Sequence, residues 1–124
     1  MKRASKSIRN AASRWLHRHG VTPPRWATVS GEAGHLHVRC TRTSMEDAEG
    51  VHSLHTMLAT AFDEGMPLIE LDLAAVDTAD TKLVASLVVL ARKAREHRAR
   101  LLVHPSASVR EQVALCHVDP ILTN

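Results

Sequence analysis

The stretch LIELDL (Leu68 to Leu73) alternates apolar and charged residues with the period of two that marks a strand with one dry face. Ile69, Leu71 and Leu73 share one side, and Glu70 and Asp72 share the other. A strand sandwiched between helix layers would be apolar on both sides, so this one is expected to be covered on one side only. Upstream, TSMEDAEGVHSLHTMLATAFDEG sets Val51, Leu54, Leu58 and Ala61 or Phe62 on one helical stripe. Ser44 with Asp47 gives it a capping-box-like start, and Gly65 ends it. Downstream, Leu83, Leu87, Leu90 and Ala94, widened by Val84, Val88 and Ala91, predict a long helix from about Thr81 to Arg98. Its last turn is basic (Arg92, Lys93, Arg95, Arg98), which suits the negative end of a helix dipole.

Shorter elements complete the pattern. WATVS and HLHVRCT around GEAG read as a hairpin, with Leu36, Val38 and Cys40 inward and His35, His37 and Arg39 outward. RLLVH is a further strand closed by Pro105. SASVREQVALC is a last helix with a Ser108–Glu111 capping box and Val109, Val113 and Cys116 facing in. The order strand, strand, helix, strand, helix, strand, helix describes a mixed α/β (α+β) domain whose later half contains a parallel crossover. With 124 residues the chain suits one domain, and Ile69, Leu71, Val84, Leu87, Leu90 and Val113 are expected in one core.

Charge changes the picture at the N-terminus. The net charge of +3 hides a leader, residues 1–25, that holds seven bases (Lys2, Arg3, Lys6, Arg9, Arg14, Arg18, Arg25) and no acid. The other nine bases face all thirteen acids, so the remainder carries about −4. The sequence pI of about 9.3 therefore describes the leader and not the domain, residues 26–124, which offers no basic face for nucleic acid. Within the leader, Ala4, Ile8, Ala11, Ala12, Trp15 and Leu16 lie near one helical stripe that Gly20 would end. The segment suits a helix packed on its own domain or on a second copy, a frayed tail, an anchor on an anionic membrane surface through residues 1–19, or a targeting leader.

Chemistry is sparse. Nine histidines occur, but the pairs His17 and His19, His35 and His37, and His52 and His55 are scattered. A zinc site wants three or four converging ligands, so no metal and no cofactor is expected. There is no phosphate loop, nucleophile elbow or metalloprotease helix, and Ser86, Ser106 and Ser108 read as helix-face or capping residues; the chain is not expected to be an enzyme. Cys40 and Cys116 form no redox motif, which fits a reducing cytoplasm. No apolar run reaches the length of a membrane span. What stands out is AAVDTADTKLVASL, where Asp77, Thr78, Asp80, Thr81 and Lys82 sit between the best strand and the longest helix. Thr78 or Asp80 is expected to cap that helix, and Asp77 to serve the turn.

From residue 67 onward the chain resembles the STAS domain family (sulfate transporter and anti-sigma factor antagonist). Asp72-Leu73 matches the "DL" of the family's strand, Asp80-Thr81 the "D-[ST]" of its loop, and HPSASVREQVAL its last helix. The resemblance spans about residues 26–122 and is strongest from 67 to 119. It implies a four- or five-stranded mixed sheet with helices mainly on one face, preceded here by the basic helix. It also implies a non-enzymatic regulator that binds an anti-sigma factor of the serine/threonine kinase type and is released by phosphorylation in the loop. Asp77, Thr78, Asp80, Thr81 and Lys82 would form the partner surface, with self-association a further option. Where the family has a second small residue and then glycine, this chain has Lys82 and Leu83, so Thr81 is the hydroxyl left in register. A second branch, STAS accessory subunits of lipid-transporting ABC systems, shares the "D-T" and uses the threonine to contact a transporter component. A structural STAS module without a switch is the third option.

Overall fold

A computed structural model describes residues 11–32 and 34–115. Ala4 and Ile8 of the leader stripe, and Cys116, lie outside the described residues. In chain order the elements are α1 (Ala11–Arg18), β1 (Ala27–Glu32), β2 (His35–Cys40), β3 (Ser44–Met45), α2 (Ala48–Asp63), β4 (Leu68–Leu73), β5 (Thr78–Ala79), α3 (Thr81–Glu96), β6 (Arg100–Pro105) and α4 (Ala107–Leu115). β1, β2, β4 and β6 form one mixed sheet in that order. β1 runs antiparallel to β2, as the hairpin requires, and β2, β4 and β6 are parallel, joined by α2 and α3 as crossovers. β3 and β5 form a separate parallel pair of two residues each.

The one-sided alternation of LIELDL is what places the helices. Ile69, Leu71 and Leu73 are fully buried, whereas Glu70 and Asp72 stay half-buried on the opposite side. Leu36, Val38 and Cys40 on β2 repeat the pattern in register, so one face of the sheet is dry. Leu54, Leu58 and Phe62 of α2 close it, together with Leu83, Leu87 and Leu90 of α3 and Val109 and Val113 of α4. The other face carries His35, His37, Arg39, Glu70, Asp72 and His104. There Glu70 accepts from His35 Nε2 at 2.9 Å and from His104 Nε2 at 3.1 Å, tying β2, β4 and β6 together. These contacts, the His104 bond foremost, hold the Glu70 carboxyl below its ordinary range.

The described half of the leader is docked. Ala12 and Leu16 are fully buried in the same core as β1 and β2, and Trp15 packs against it. His19 Nδ1 lies 3.2 Å from a Glu64 carboxylate oxygen at the end of α2.

Two helix starts differ from the sequence reading. Ser44 is in β3, and α2 is capped by Asp47, whose carboxylate accepts from Gly50 N at 2.8 Å. Arg42 pairs with the same carboxylate at 2.8 Å and lies 5.5 Å over the Trp26 ring, so tertiary contacts select Asp47. In α4 the capping oxygen is Ser106 Oγ, accepting from Val109 N at 3.1 Å, and not Ser108. Pro105 forces an extended backbone that ends just before Ser106, which makes Ser106 the first residue able to cap.

α1, α2 and α3 end in one hydrogen-bond pattern, two bonds closing the last turn around a residue with positive φ. Val21 N to Leu16 O at 2.9 Å and Gly20 N to His17 O at 3.1 Å close α1; Met66 N to Ala61 O at 2.9 Å and Gly65 N to Phe62 O at 3.0 Å close α2. Ala99 N to Ala94 O at 2.7 Å and Arg98 N to Arg95 O at 3.0 Å close α3. Gly20 (φ 72°) and Gly65 (φ 99°) adopt this conformation without a Cβ to clash, but at α3 the position is Arg98, with φ 55°. The left-handed conformation costs a residue with a Cβ on the order of 1 kcal/mol. Arg98→Gly should therefore raise the unfolding free energy, by at most about 1 kcal/mol after the added flexibility of the unfolded chain is counted. Arg98→Ala should give no such gain; denaturant unfolding of the two variants checks both expectations.

One buried contact predicts a pH response. His55 Nδ1 on α2 lies 2.8 Å from Ser86 Oγ on α3, and Ser86 is the buried polar residue between the two helices. Burial, with His52 and Lys93 nearby, holds the His55 imidazole below its ordinary value. The unfolded chain then binds a proton that the folded chain refuses, so this contribution is complete above the unfolded value of 6.5 and is lost as pH falls toward the folded one. Thermal midpoints measured from about pH 7.5 to about pH 5.5 should fall less steeply in His55→Gln than in the parent chain.

Candidate functional site

The junction between β4 and α3 is built by its own short side chains. Asp72 Oδ1 accepts from Ala74 N at 2.9 Å, and Val76 N bonds Leu73 O at 3.0 Å, turning the chain sharply as the strand ends. Val76 is fully buried, so it pins the loop to the core while Asp77 and Thr78 stay exposed. The Thr43 carbonyl accepts from Asp77 N at 2.7 Å and Thr78 N at 3.0 Å, and β5 pairs with β3 through Ser44–Thr78 and Met45–Ala79. The junction is thus clamped to the segment that enters α2. That segment is itself held, because Thr41 donates both its N (2.7 Å) and its Oγ (2.9 Å) to Trp26 O.

Asp80 is the cap of α3. Its Oδ1 accepts from Lys82 N at 3.0 Å, and its Oδ2 accepts from Lys82 Nζ at 2.6 Å. The Lys82 ammonium, followed by the backbone N–H groups of Lys82 and Leu83, holds the Asp80 carboxyl below its ordinary range, and Asp80 in turn raises the Lys82 ammonium. Lys82 Nζ also reaches Glu46 O at 3.4 Å, bridging the entrances of α3 and α2. Thr78, the other capping candidate, lies in β5. Thr81 is the first residue of α3, exposed, and among the described residues its hydroxyl makes no hydrogen bond. The fold uses Asp80 as the cap and leaves the Thr81 hydroxyl to solvent.

The structure therefore brings Asp77, Thr78, Asp80, Thr81 and Lys82 onto one exposed edge at the carboxyl end of β4. Sequence reasoning missed the other half of this edge, Arg42 to Asp47, which β3 clamps beside it. The signal available was Met45, one apolar residue in an otherwise polar run, which is fully buried. Among the described residues no group of three His, Cys, Asp or Glu side chains could hold a metal ion, and no helix is long and apolar enough to cross a membrane.

No family model matches this sequence, and no curated protein matches it. Solved structures do. The anti-sigma factor antagonist SpoIIAA in its unphosphorylated form superposes with a TM-score of 0.64 at 17% identity, over 78% of this chain and 85% of that one. An anti-sigma-factor antagonist (STAS) domain protein from Planctomyces limnophilus gives 0.65 at 16%, over 78% and 86%. A candidate anti-sigma factor antagonist from Thermotoga maritima gives 0.68 at 15%, over 86% and 87%. At such identities likeness speaks for architecture, and the shared architecture covers most of each chain. The mixed sheet with its helices on one face is the fold of STAS domains.

Proposed function

We propose that this chain is a non-enzymatic, protein-binding regulator of the anti-sigma factor antagonist kind, with the β4–α3 junction as its partner surface and Thr81 as its switch. The observation that carries this reading is the state of Thr81: a solvent-facing hydroxyl at the start of a helix, unused by the fold, on a loop clamped from both sides. A rigid loop that presents small side chains suits recognition, because little ordering remains to be done on binding. A phosphate on Thr81 would bring roughly −1.5 to −2 charges to an edge that already carries Asp77 and Asp80. The first turn of α3 tolerates that charge, so the domain keeps its fold while a docked anti-sigma kinase meets an anion it cannot desolvate. Lys82, held by Asp80, is the cation at hand to share the phosphate. The likeness to SpoIIAA, solved in its unphosphorylated form, supports a phospho-switch here as a reading of this site.

The experiment is incubation with the kinase partner and ATP, followed by peptide mass spectrometry. Phosphate on Thr81 with release of the complex supports the proposal. A stable complex whose hydrogen-exchange footprint avoids residues 76–85 contradicts it.

A further inference from the structure

The end of the sheet opposite the junction is basic. The loop from Asp63 to Pro67 organises it: Glu64 meets His19 of the α1 end, Asp63 meets Lys93 and His97 of the α3 end, and Pro67 O accepts from Arg100 N at the start of β6. These pairings occupy the two acids of the loop. Arg18, Arg95, Arg98 and Arg100 are all exposed, and among the described residues none of them joins an ion pair. Among the described residues, Glu32 and Glu96 are the acids nearby without an ion pair.

A helix dipole explains basic residues within the last turn of α3, which covers Arg95. It does not explain Arg98 and Arg100, which lie beyond the helix. Arg98 in particular stands at positive φ, where α1 and α2 use glycine for the same bond pattern. A strained residue kept where an unstrained one is available points to a task for its side chain.

We propose that this pole docks on an anionic membrane surface through Arg18, Arg95, Arg98 and Arg100. The sequence alone offered, among other readings, an anchor on an anionic membrane surface through residues 1–19. Ala12 and Leu16 exclude insertion for Ala11–Arg18, because both are fully buried in the domain. The attraction is therefore electrostatic, from the folded pole. Trp15 lies half-buried against the His19 ring, centroids 4.1 Å apart, and puts an indole at the same end, a side chain that favours the headgroup level. A lipid surface suits the pattern better than a duplex: mobile anionic lipids gather under the arginines and leave Glu32 and Glu96 facing neutral headgroups, whereas fixed rows of phosphate meet both acids. Six residues of β4 hold the two poles roughly 20 Å apart, so docking here turns the Thr81 edge away from the membrane.

The test is co-sedimentation of the full chain with phosphatidylcholine vesicles, with and without phosphatidylserine, alongside a gel shift with duplex DNA. The expected result is salt-sensitive binding to the anionic vesicles alone. Arg95→Gln/Arg98→Gly/Arg100→Gln should lower the partition coefficient roughly a hundredfold, at about fivefold per charge. Arg95→Gln/Arg100→Gln, which keeps Arg98 and its positive φ, should lower it roughly twentyfold to thirtyfold by the same measure. Three results would overturn the proposal. One is no binding to anionic vesicles. Another is tighter binding to DNA than to vesicles. The third is full retention by both arginine variants while Lys2→Gln/Arg3→Gln/Lys6→Gln/Arg9→Gln loses binding, since the segment before α1 would then act alone.

Discussion

Leu16→Ala should unfold at a midpoint well below that of the parent chain, with a loss of about 2–5 kcal/mol. A basic leader without acids invites the expectation that residues 1–25 can be changed freely. Leu16 says otherwise, because its side chain is fully buried and belongs to the cluster that includes Leu36, Val38 and Ile69. Truncating it removes the isopropyl group from contact and leaves a cavity that β1 and β2 cannot collapse without losing register. Its neighbour supplies the control. Arg18→Ala, at the last residue of the same helix and exposed, should leave the midpoint within about 0.5 kcal/mol of the parent in free energy. Equal midpoints for Leu16→Ala and the parent would mean that α1 is not part of the domain core.

How far the chain could be read before its structure depends on whether a feature is local. β4 was legible because its burial is one-sided, and alternation encodes one-sided burial directly. The ends of α1 and α2 were legible because glycine supplies the positive φ that the turn needs. The end of α3 was not, because Arg98 takes that conformation without the residue that signals it, and the helix stops at Glu96. Helix starts were harder still. Ser44 and Asp47 are both competent caps three residues apart, and the choice falls to Arg42 and to the pairing of β3 with β5. Strands of two residues carry no periodicity, so that pairing left no trace in the pattern. The same limit applies at the junction. Its residues could be named from their position between a strand and a helix. The Lys82 bridge to Glu46 O joins segments 36 residues apart in the chain, which no local pattern announces.

Thr81→Glu should keep the fold and lose the partner. Glutamate is tolerated in the first turn of a helix, where it adds about 0.3–1 kcal/mol of favourable dipole interaction. Thr81→Ala should change stability by less than about 0.5 kcal/mol, because Asp80 and not Thr81 supplies the cap. Asp80→Ala is the contrasting case: it removes the cap and the anchor of Lys82 together, at a cost of about 1 kcal/mol. In the complex the order reverses. Thr81→Ala leaves a neutral, slightly smaller surface, whereas Thr81→Glu sets a third carboxylate beside Asp77 and Asp80, with Lys82 already shared with Asp80, and must be desolvated against the partner. The most direct measurement is calorimetric titration of the anti-sigma kinase partner with the parent chain, Thr81→Ala and Thr81→Glu, each shown to be folded. The account predicts near-parental affinity for Thr81→Ala and at least roughly a hundredfold loss for Thr81→Glu. Parental affinity for Thr81→Glu would contradict it and leave the junction as a helix start and nothing more.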